Sequence, residues 1–382
     1  MDFSLSEDQR RLRDTTIKFA QSELNTDTIE RDREHRFPRA EWLKCGEMRL
    51  QGLPVPEEHG GLGLDPLTSA IVLEAFGYGC RDSGLVFSVC AHLVACTVPV
   101  WRFGTDEQRR RYLPSLCNGS LVGCNAITEP GSGSDAFSLA TRAERDGDGF
   151  RLSGTKTFTS NGPVADLAIV YAVTDKEKGY HGGVTAFLVE KGAAGFVTSK
   201  PFEKMGLRTA PLCELVLEDV YVGPESVLGG VGGGAGTFNH AMDWERVCLF
   251  ASHVGTMERL LDVSIEYART RKQFGQTIGK FQAIAHKIAD MKVQLEAARL
   301  LTYRAAAELD RTRTVSMDAA MAKLFVSEAL LQAAQSAVQI HGGYGFMTEF
   351  EVERALRDAV GSTIYSGTSE MQRNIIARWL GL

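Results

Sequence analysis

The 382-residue chain has no CxxC pair, no His-rich metal spacing and no block of Lys or Arg interleaved with aromatics. Without the first two, zinc ribbons and thioredoxin-type redox motifs are excluded, and Cys45, Cys80, Cys90, Cys96, Cys117, Cys124, Cys213 and Cys248 read as buried, reduced thiols of a cytoplasmic protein. Without the third, and with a formal net charge of −6, nothing draws the chain to nucleic acid or to an anionic membrane. The opening stretch, MDFSLSEDQRRLRD, lacks the apolar core of a secretory signal. Long hydrophobic runs are missing too. LVFSVCAHLVACTVPVW (85–101) is short of the ~20 residues of a span and contains His92 and Pro99, which predicts a buried helix. What is present, 44% hydrophobic and 24% charged residues, is ordinary globular composition, long enough for two or three domains.

The patterning changes twice along the chain. Residues 1–122 carry helical signals, starting with Ser6 and Gln9 spaced as a capping box and Leu5, Leu12 and Phe19 on one face. Residues 123–230 break into short β-branched and aromatic runs (GFRLSG, DLAIVYAV, GVTAFLVEK, CELVLEDVYV) divided by Gly, Asn and Asp, which predicts a small antiparallel β domain. Helical periodicity returns after the glycine-rich GPESVLGGVGGGAG (223–236), read as a flexible linker. Phe238 to about Thr270 reads as one helix of roughly 50 Å, and residues 231–382 as a four-helix bundle. The fold class is therefore α+β in three parts: all-α, antiparallel β, helical bundle.

Each motif has a bland reading beside a functional one. Gly230, Gly232 and Ala235 form a GxGxxA, but no βαβ unit surrounds it, so a linker is the better account than a dinucleotide site. NAITEPGSGSD (125–135) offers hydroxyls and small residues that let backbone N–H groups approach a ligand; alone it is equally a polar turn. TKTFTSNG (155–162) sets Phe158 among hydroxyls, suited to a flat heteroaromatic ring or simply to a strand. Arg269, Arg271 and Lys272 either balance a helix dipole or bind phosphate. AVQIHGGYGF (337–346) supplies Gln339 and a glycine pair that also suits a C-cap, and His341 reads as structural.

The order of TEPGSGSD, GTKTFTSNG, KMGLR, RKQFGQTIGKFQAI, AVQIHGGYG and YSGTSEMQR resembles the acyl-CoA dehydrogenase family along essentially the entire chain. The resemblance implies FAD as cofactor, with Asn125, Ile127, Thr128, Ser134, Phe158 and Ser160 lining the flavin. Phe158 departs from the family's frequent tryptophan. It also implies that Arg271, Gln273, Phe274, Gln339 and Gly343 reach the FAD of a neighbouring subunit in a homo-oligomer, a tetramer or dimer. Thr368 and Glu370 match residues beside the adenosine portion, and Ser134, Asp243 and Arg246 match substrate-binding positions.

The reaction the resemblance implies takes the α-proton of an acyl thioester while the β-hydride passes to the flavin, and so needs a base. Many members keep a Glu where this chain has Ser366. A minority, including isovaleryl-CoA dehydrogenases, place it before an arginine on the first bundle helix, which matches Glu245 next to Arg246. A surface carboxylate would be expected to find a partner one turn away, but positions 241 and 249 are Ala and Leu. With Met242, Trp244, Val247 and Cys248 around it, Glu245 is expected to be partly buried and the stronger base for it. By resemblance Ser366 keeps a role as backbone N–H donor to the thioester oxygen, with its side chain expected to be indifferent.

MGLRTAPLCELVLED (205–219), GCRDSGLVFSVCAHLVAC and DWERVCLFA look most like members from natural-product pathways, especially L-prolyl-carrier-protein dehydrogenases. This implies a prolyl or other acyl thioester on a phosphopantetheine carrier protein, with electron-transfer flavoprotein or oxygen as acceptor. A dehydrogenase of free short or branched acyl-CoA, a flavin oxidase or monooxygenase, and a non-catalytic scaffold are the rival readings.

Overall fold

A computed structural model describes residues 4–309, 311 and 315–382. The capping box forms as the spacing predicts: the Ser6 hydroxyl accepts from the Gln9 N–H at 3.2 Å, the Gln9 amide oxygen accepts from the Ser6 N–H at 3.0 Å, and α1 (Glu7–Glu23) follows. Helices α2 (Thr28–Glu34), α3 (Arg39–Glu47) and α4 (Pro66–Gly79) complete the first layer. The apolar stretch 85–101 is longer than predicted. It lies in a helical segment of 21 residues, α5 (Ser83–His92) running through a π-turn (Leu93–Thr97) into α6 (Val98–Phe103), and 89% of its most apolar window is buried inside the protein. Helix α7 (Asp106–Cys117) leads to the sheet.

The middle of the chain is one sheet in the order β6-β7-β3-β2-β4-β5-β8, where β6 is Phe196–Thr198, with β1 (Gly123–Ala126) beside β4 (Leu167–Val173). It is mixed and not purely antiparallel as predicted: β1 and β4 run parallel, and β2 (Arg142–Asp146) meets β4 in parallel at Arg142 and Val173. The reason is topological, since the β2–β3 hairpin intervenes between β1 and β4 and brings the chain back in the same direction. Strand β4 is covered on both faces. Leu167, Ile169 and Tyr171 pack toward the helices, whereas Ala168, Val170 and Ala172 meet Leu152, Leu215 and Leu217 of β3 (Gly149–Ser160) and β7 (Leu212–Val222).

The stretch 223–236 is a fixed connection and not a flexible linker. Val227–Leu228 adds strand β8 to β5 (Val184–Glu190), and the Gly232 N–H donates to Thr185 Oγ1 at 2.8 Å. Helix α8 (Gly234–Trp244), a second π-turn (Glu245–Leu249) and α9 (Phe250–Thr270) then form one rod, as the periodicity predicts. With α10 (Gln282–Glu308), α11 (Val315–His341) and α12 (Glu351–Ser362) it makes the helical bundle, and α13 (Ser369–Trp379) lies on α11. Helices α4 and α9 touch backbone to backbone: a Cβ at Gly77 would lie 1.9 Å from the Ser252 carbonyl oxygen, and one at Gly255 1.9 Å from that of Glu74. Only glycine permits this approach.

Candidate active site

Glu245 is the first residue of the π-turn in the α8–α9 rod. A π-turn carries one residue more than an α-turn and shifts the side chains before it relative to those after it, a device common at functional sites. Trp244, 1% exposed, anchors the preceding residue in the core. The Glu245 carboxylate accepts a 2.5 Å hydrogen bond from the hydroxyl of Ser366, 121 positions away in the turn between α12 and α13. The side chain of Ser366 is therefore not indifferent as expected, because it is the carboxylate's hydrogen-bond donor.

Ser366 sits at φ 59° and Gly367 at φ 83°. For a serine this conformation is uncommon and must be held by its surroundings. The Ser366 carbonyl accepts from Gln372 Nε2 at 3.1 Å and from Arg246 Nε at 3.5 Å, while its N–H finds no acceptor among the described residues. That N–H is open to a ligand oxygen.

Asp243 and Glu245 have different surroundings. Asp243 accepts from Ser316 Oγ at 2.8 Å and from Arg246 Nη1 at 3.3 Å, so its charge is paired. Glu245 has no ion pair within bonding distance among the described residues. Burial raises both carboxyls above their ordinary values; for Glu245 the Ser366 hydroxyl and the charges of Arg246 and Lys323 oppose the rise. A partly desolvated carboxylate without an ion pair is suited to proton abstraction.

The sheet contributes a second group of residues. Phe158 stands at a bulge in the β3–β7 pairing, with φ 52° and 64% of its surface exposed, braced by Phe202 at 5.8 Å between ring centroids. An exposed ring held in left-handed backbone is a costly feature in a bare surface and an apt one for stacking. Exposed Ser134 and half-buried Thr128 and Ser160 present hydroxyls without a protein partner among the described residues. Asn125 and Ile127 are turned to packing instead. Asn125 Nδ2 donates to the Ala95 carbonyl at 3.0 Å and Tyr171 Oη at 3.4 Å, and the Ile127 side chain is 7% exposed between sheet and helices, leaving its backbone N–H for a ligand.

One pair that sequence reasoning missed holds this group. Lys156 Nζ reaches Glu129 Oε1 at 2.7 Å, their side chains 0% and 4% exposed, and also donates to the Ile127 carbonyl at 3.2 Å. Glu129 further accepts from the N–H groups of Ala140 at 2.6 Å and Thr141 at 3.0 Å. The serine- and glycine-rich stretch is thereby pinned to β3. The signal was visible as opposite charges, Glu129 and Lys156, in two hydroxyl-rich motifs.

Arg271 caps α9, its guanidinium 5.6 Å from the Tyr344 ring, and so joins the β9–β10 hairpin (Lys272–Gln273, Gln276–Thr277) to the turn containing Gly343. The hairpin tip, Phe274 and Gly275, has φ 50° and 78°, the signature of a tight two-residue turn, and leaves Phe274 93% exposed. Gln273, Gln339 and Gly343 are exposed as well. No hydrogen bond or ion pair among the described residues links this group to Glu245 within one chain. Thr368 caps α13, accepting from the Met371 N–H at 3.3 Å, with Glu370 exposed in its first turn.

Comparison with known proteins agrees with this geometry. The family models "Acyl-CoA dehydrogenase, N-terminal domain", "middle domain" and "C-terminal domain" match residues 6–120, 124–220 and 232–381. An L-prolyl-[peptidyl-carrier protein] dehydrogenase from Pseudomonas fluorescens is 46% identical over 347 residues, 91% of each chain. The crystal structure of the prolyl acyl carrier protein oxidase AnaB superposes with a TM-score of 0.97 at 47% identity, covering 99% of this chain and 100% of that one. PigA with FAD and proline gives 0.97 at 39% identity over the whole of both chains. With three domain matches in order and relatives of this identity along its length, the chain belongs to the acyl-CoA dehydrogenase family.

Proposed function

We propose that the protein is an FAD-dependent dehydrogenase of an acyl thioester carried on the phosphopantetheine arm of a carrier protein, with a prolyl group, oxidised toward pyrrolyl, as the favoured substrate. The observation that carries the chemistry is the Glu245 carboxylate at the head of the π-turn, held by Ser366 and, among the described residues, free of any ion pair within bonding distance. The substrate class rests on the likeness to proteins named for prolyl-carrier-protein oxidation.

Bound FAD supplies the acceptor for the β-hydride. Glu245 takes the α-proton, and the Ser366 N–H stabilises the negative charge that develops on the thioester oxygen. Ser134, Asp243 and Arg246 contact the substrate. Phe158, Thr128, Ser160, Ser134 and the backbone of Asn125 and Ile127 hold the flavin, and Thr368 and Glu370 its adenosine side. Arg271, Gln273, Phe274, Gln339 and Gly343 complete the site of a neighbouring subunit in a cytoplasmic tetramer. In this reading residues 1–122, 123–230 and 231–382 are three domains, the last carrying both the base and the subunit interface.

Anaerobic bleaching of the flavin by prolyl-carrier thioester, measured against a panel of acyl-CoA thioesters, tests the substrate. Bleaching by free short or branched acyl-CoA alone overturns the carrier-protein reading. Relatives carry the names dehydrogenase and oxidase alike, so the acceptor is assigned by turnover with electron-transfer flavoprotein against oxygen uptake without any added acceptor.

A further inference from the structure

Lys323 lies in the first half of α11, 0% exposed, and its ammonium has no hydrogen-bond partner among the described residues. It stands over the ring of Phe250, 5.4 Å from Nζ to the ring centroid, at the residue that follows the π-turn. A cation in that position is expensive to bury, since no bonded carboxylate among the described residues compensates it. Methionine would fill the same space without that cost.

The charges around it explain its presence. Arg246 is paired with Asp243 at 3.3 Å, and Glu328, on the same helix as Lys323, is paired with Arg373 at 2.8 Å. Exposed Glu370 of α13 acts from a distance. His253, across on α9, is held neutral by burial and by Lys323, and its Nε2 lies 2.6 Å from Tyr365 Oη. Cys90, Tyr171 and Tyr365, further titratable groups on which the Glu245 charge acts, are kept protonated by burial. Among the described residues Asp243 and Arg246 are bonded to each other, while Glu245 and Lys323 have no bonded partner of opposite charge; the Arg246 charge, shared with Asp243, also acts on Glu245, and Lys323 adds to it. Burial pushes the lysine down to about 8, with Arg246 adding to the fall and Glu245 opposing it, so the ammonium persists at neutral pH.

We propose that Lys323 is the internal counter-ion of Glu245, a positioning residue whose charge, acting across a gap and not through a contact, keeps the base ionised before substrate arrives. The gap matters chemically, because a direct ion pair would hold the carboxylate and spoil it as a base. This inference rests on the reading of Glu245 as the base.

The test uses the FAD-loaded protein with Lys323→Met, and with Lys323→Arg as the charge-retaining control. Protonation of Glu245 is read from the carboxylic C=O stretch that titrates in the infrared difference spectrum and is missing in Glu245→Gln, without any substrate. In Lys323→Met the midpoint of that band is expected to rise by about one pH unit or more. The acid limb of flavin reduction should rise with it, a loss of about tenfold below the limb. Lys323→Arg should keep the parent midpoint, and the melting temperature of Lys323→Met should equal or exceed the parent's. An unmoved midpoint in folded, FAD-loaded Lys323→Met overturns the proposal, and Lys323→Gln gives the same comparison if the methionine variant does not fold. Flavin reduction at the parent rate in Glu245→Gln overturns the base assignment alone, because the infrared midpoint does not depend on turnover.

Discussion

Asp243 and Glu245 stand two positions apart on one helix, yet only one is free to work. Asp243 is held by Arg246 and Ser316, whereas Glu245 meets a single hydroxyl. Glu245→Gln keeps the shape and removes the proton acceptor, so flavin reduction in anaerobic stopped flow should slow by at least about 10² to 10⁴ while FAD content holds. Parent-like rates there would transfer the role elsewhere. Ser366→Ala separates the two functions of that residue. Its N–H is retained, but the hydroxyl that favours the ionised carboxylate is lost. The base is active above its pKa, and losing the donor raises that pKa, so the acid limb of the rate profile should move to higher pH by about one unit with little change on the plateau. A limb that stays in place would mean the hydroxyl does not act on the base.

At the scale of elements, two local irregularities shape the site. The π-turn in the α8–α9 rod sets Glu245 out of step with α9, and the bulge in β3 turns Phe158 outward. The buried Lys156–Glu129 pair fastens the stretch from Thr128 to Thr141 against that bulged strand. Lys156→Met leaves Glu129 buried without its cation and should cost about 3–5 kcal/mol in denaturant unfolding at neutral pH. In the parent, the Lys156 charge and the hydrogen bonds to Glu129 outweigh burial and lower its carboxyl, a contribution present above the ordinary carboxylate range and lost on acidification. The variant's deficit should therefore shrink as pH falls. A deficit independent of pH would point to lost packing instead.

For the whole molecule, the surface left by one chain is the informative feature. Phe274 is 93% exposed, and Val293 and Leu300 on α10 are 69% and 50% exposed. These side chains suit burial against further copies of the chain. Arg271, between the hairpin and the Gly343 turn, is a cation of that surface whose guanidinium has the chemistry to bind phosphate on two prongs. In Arg271→Ala, FAD content and oligomer size on gel filtration should fall together. A fully loaded oligomer would place the arginine outside the shared site.

The division of labour between sequence and tertiary structure follows from the range of the forces involved. Helical and strand periodicity, the Ser6–Gln9 cap and the continuous rod around Glu245 were legible because they depend on neighbours a few positions away. The choice of Glu245 as base over Ser366 came from the family resemblance and belongs to the proposal, whereas the lack of a charged partner one turn from Glu245 was legible too. The parallel β1–β4 pairing, the hydroxyl of Ser366 on Glu245, the Lys156–Glu129 pair and the solitary Lys323 were not. Each joins groups from 27 to 121 positions apart or depends on which side of a helix the core covers. Periodicity marks a lysine in an apolar run as a surface residue; only packing on all sides puts Lys323 inside, where low polarity lets its charge reach the carboxylate.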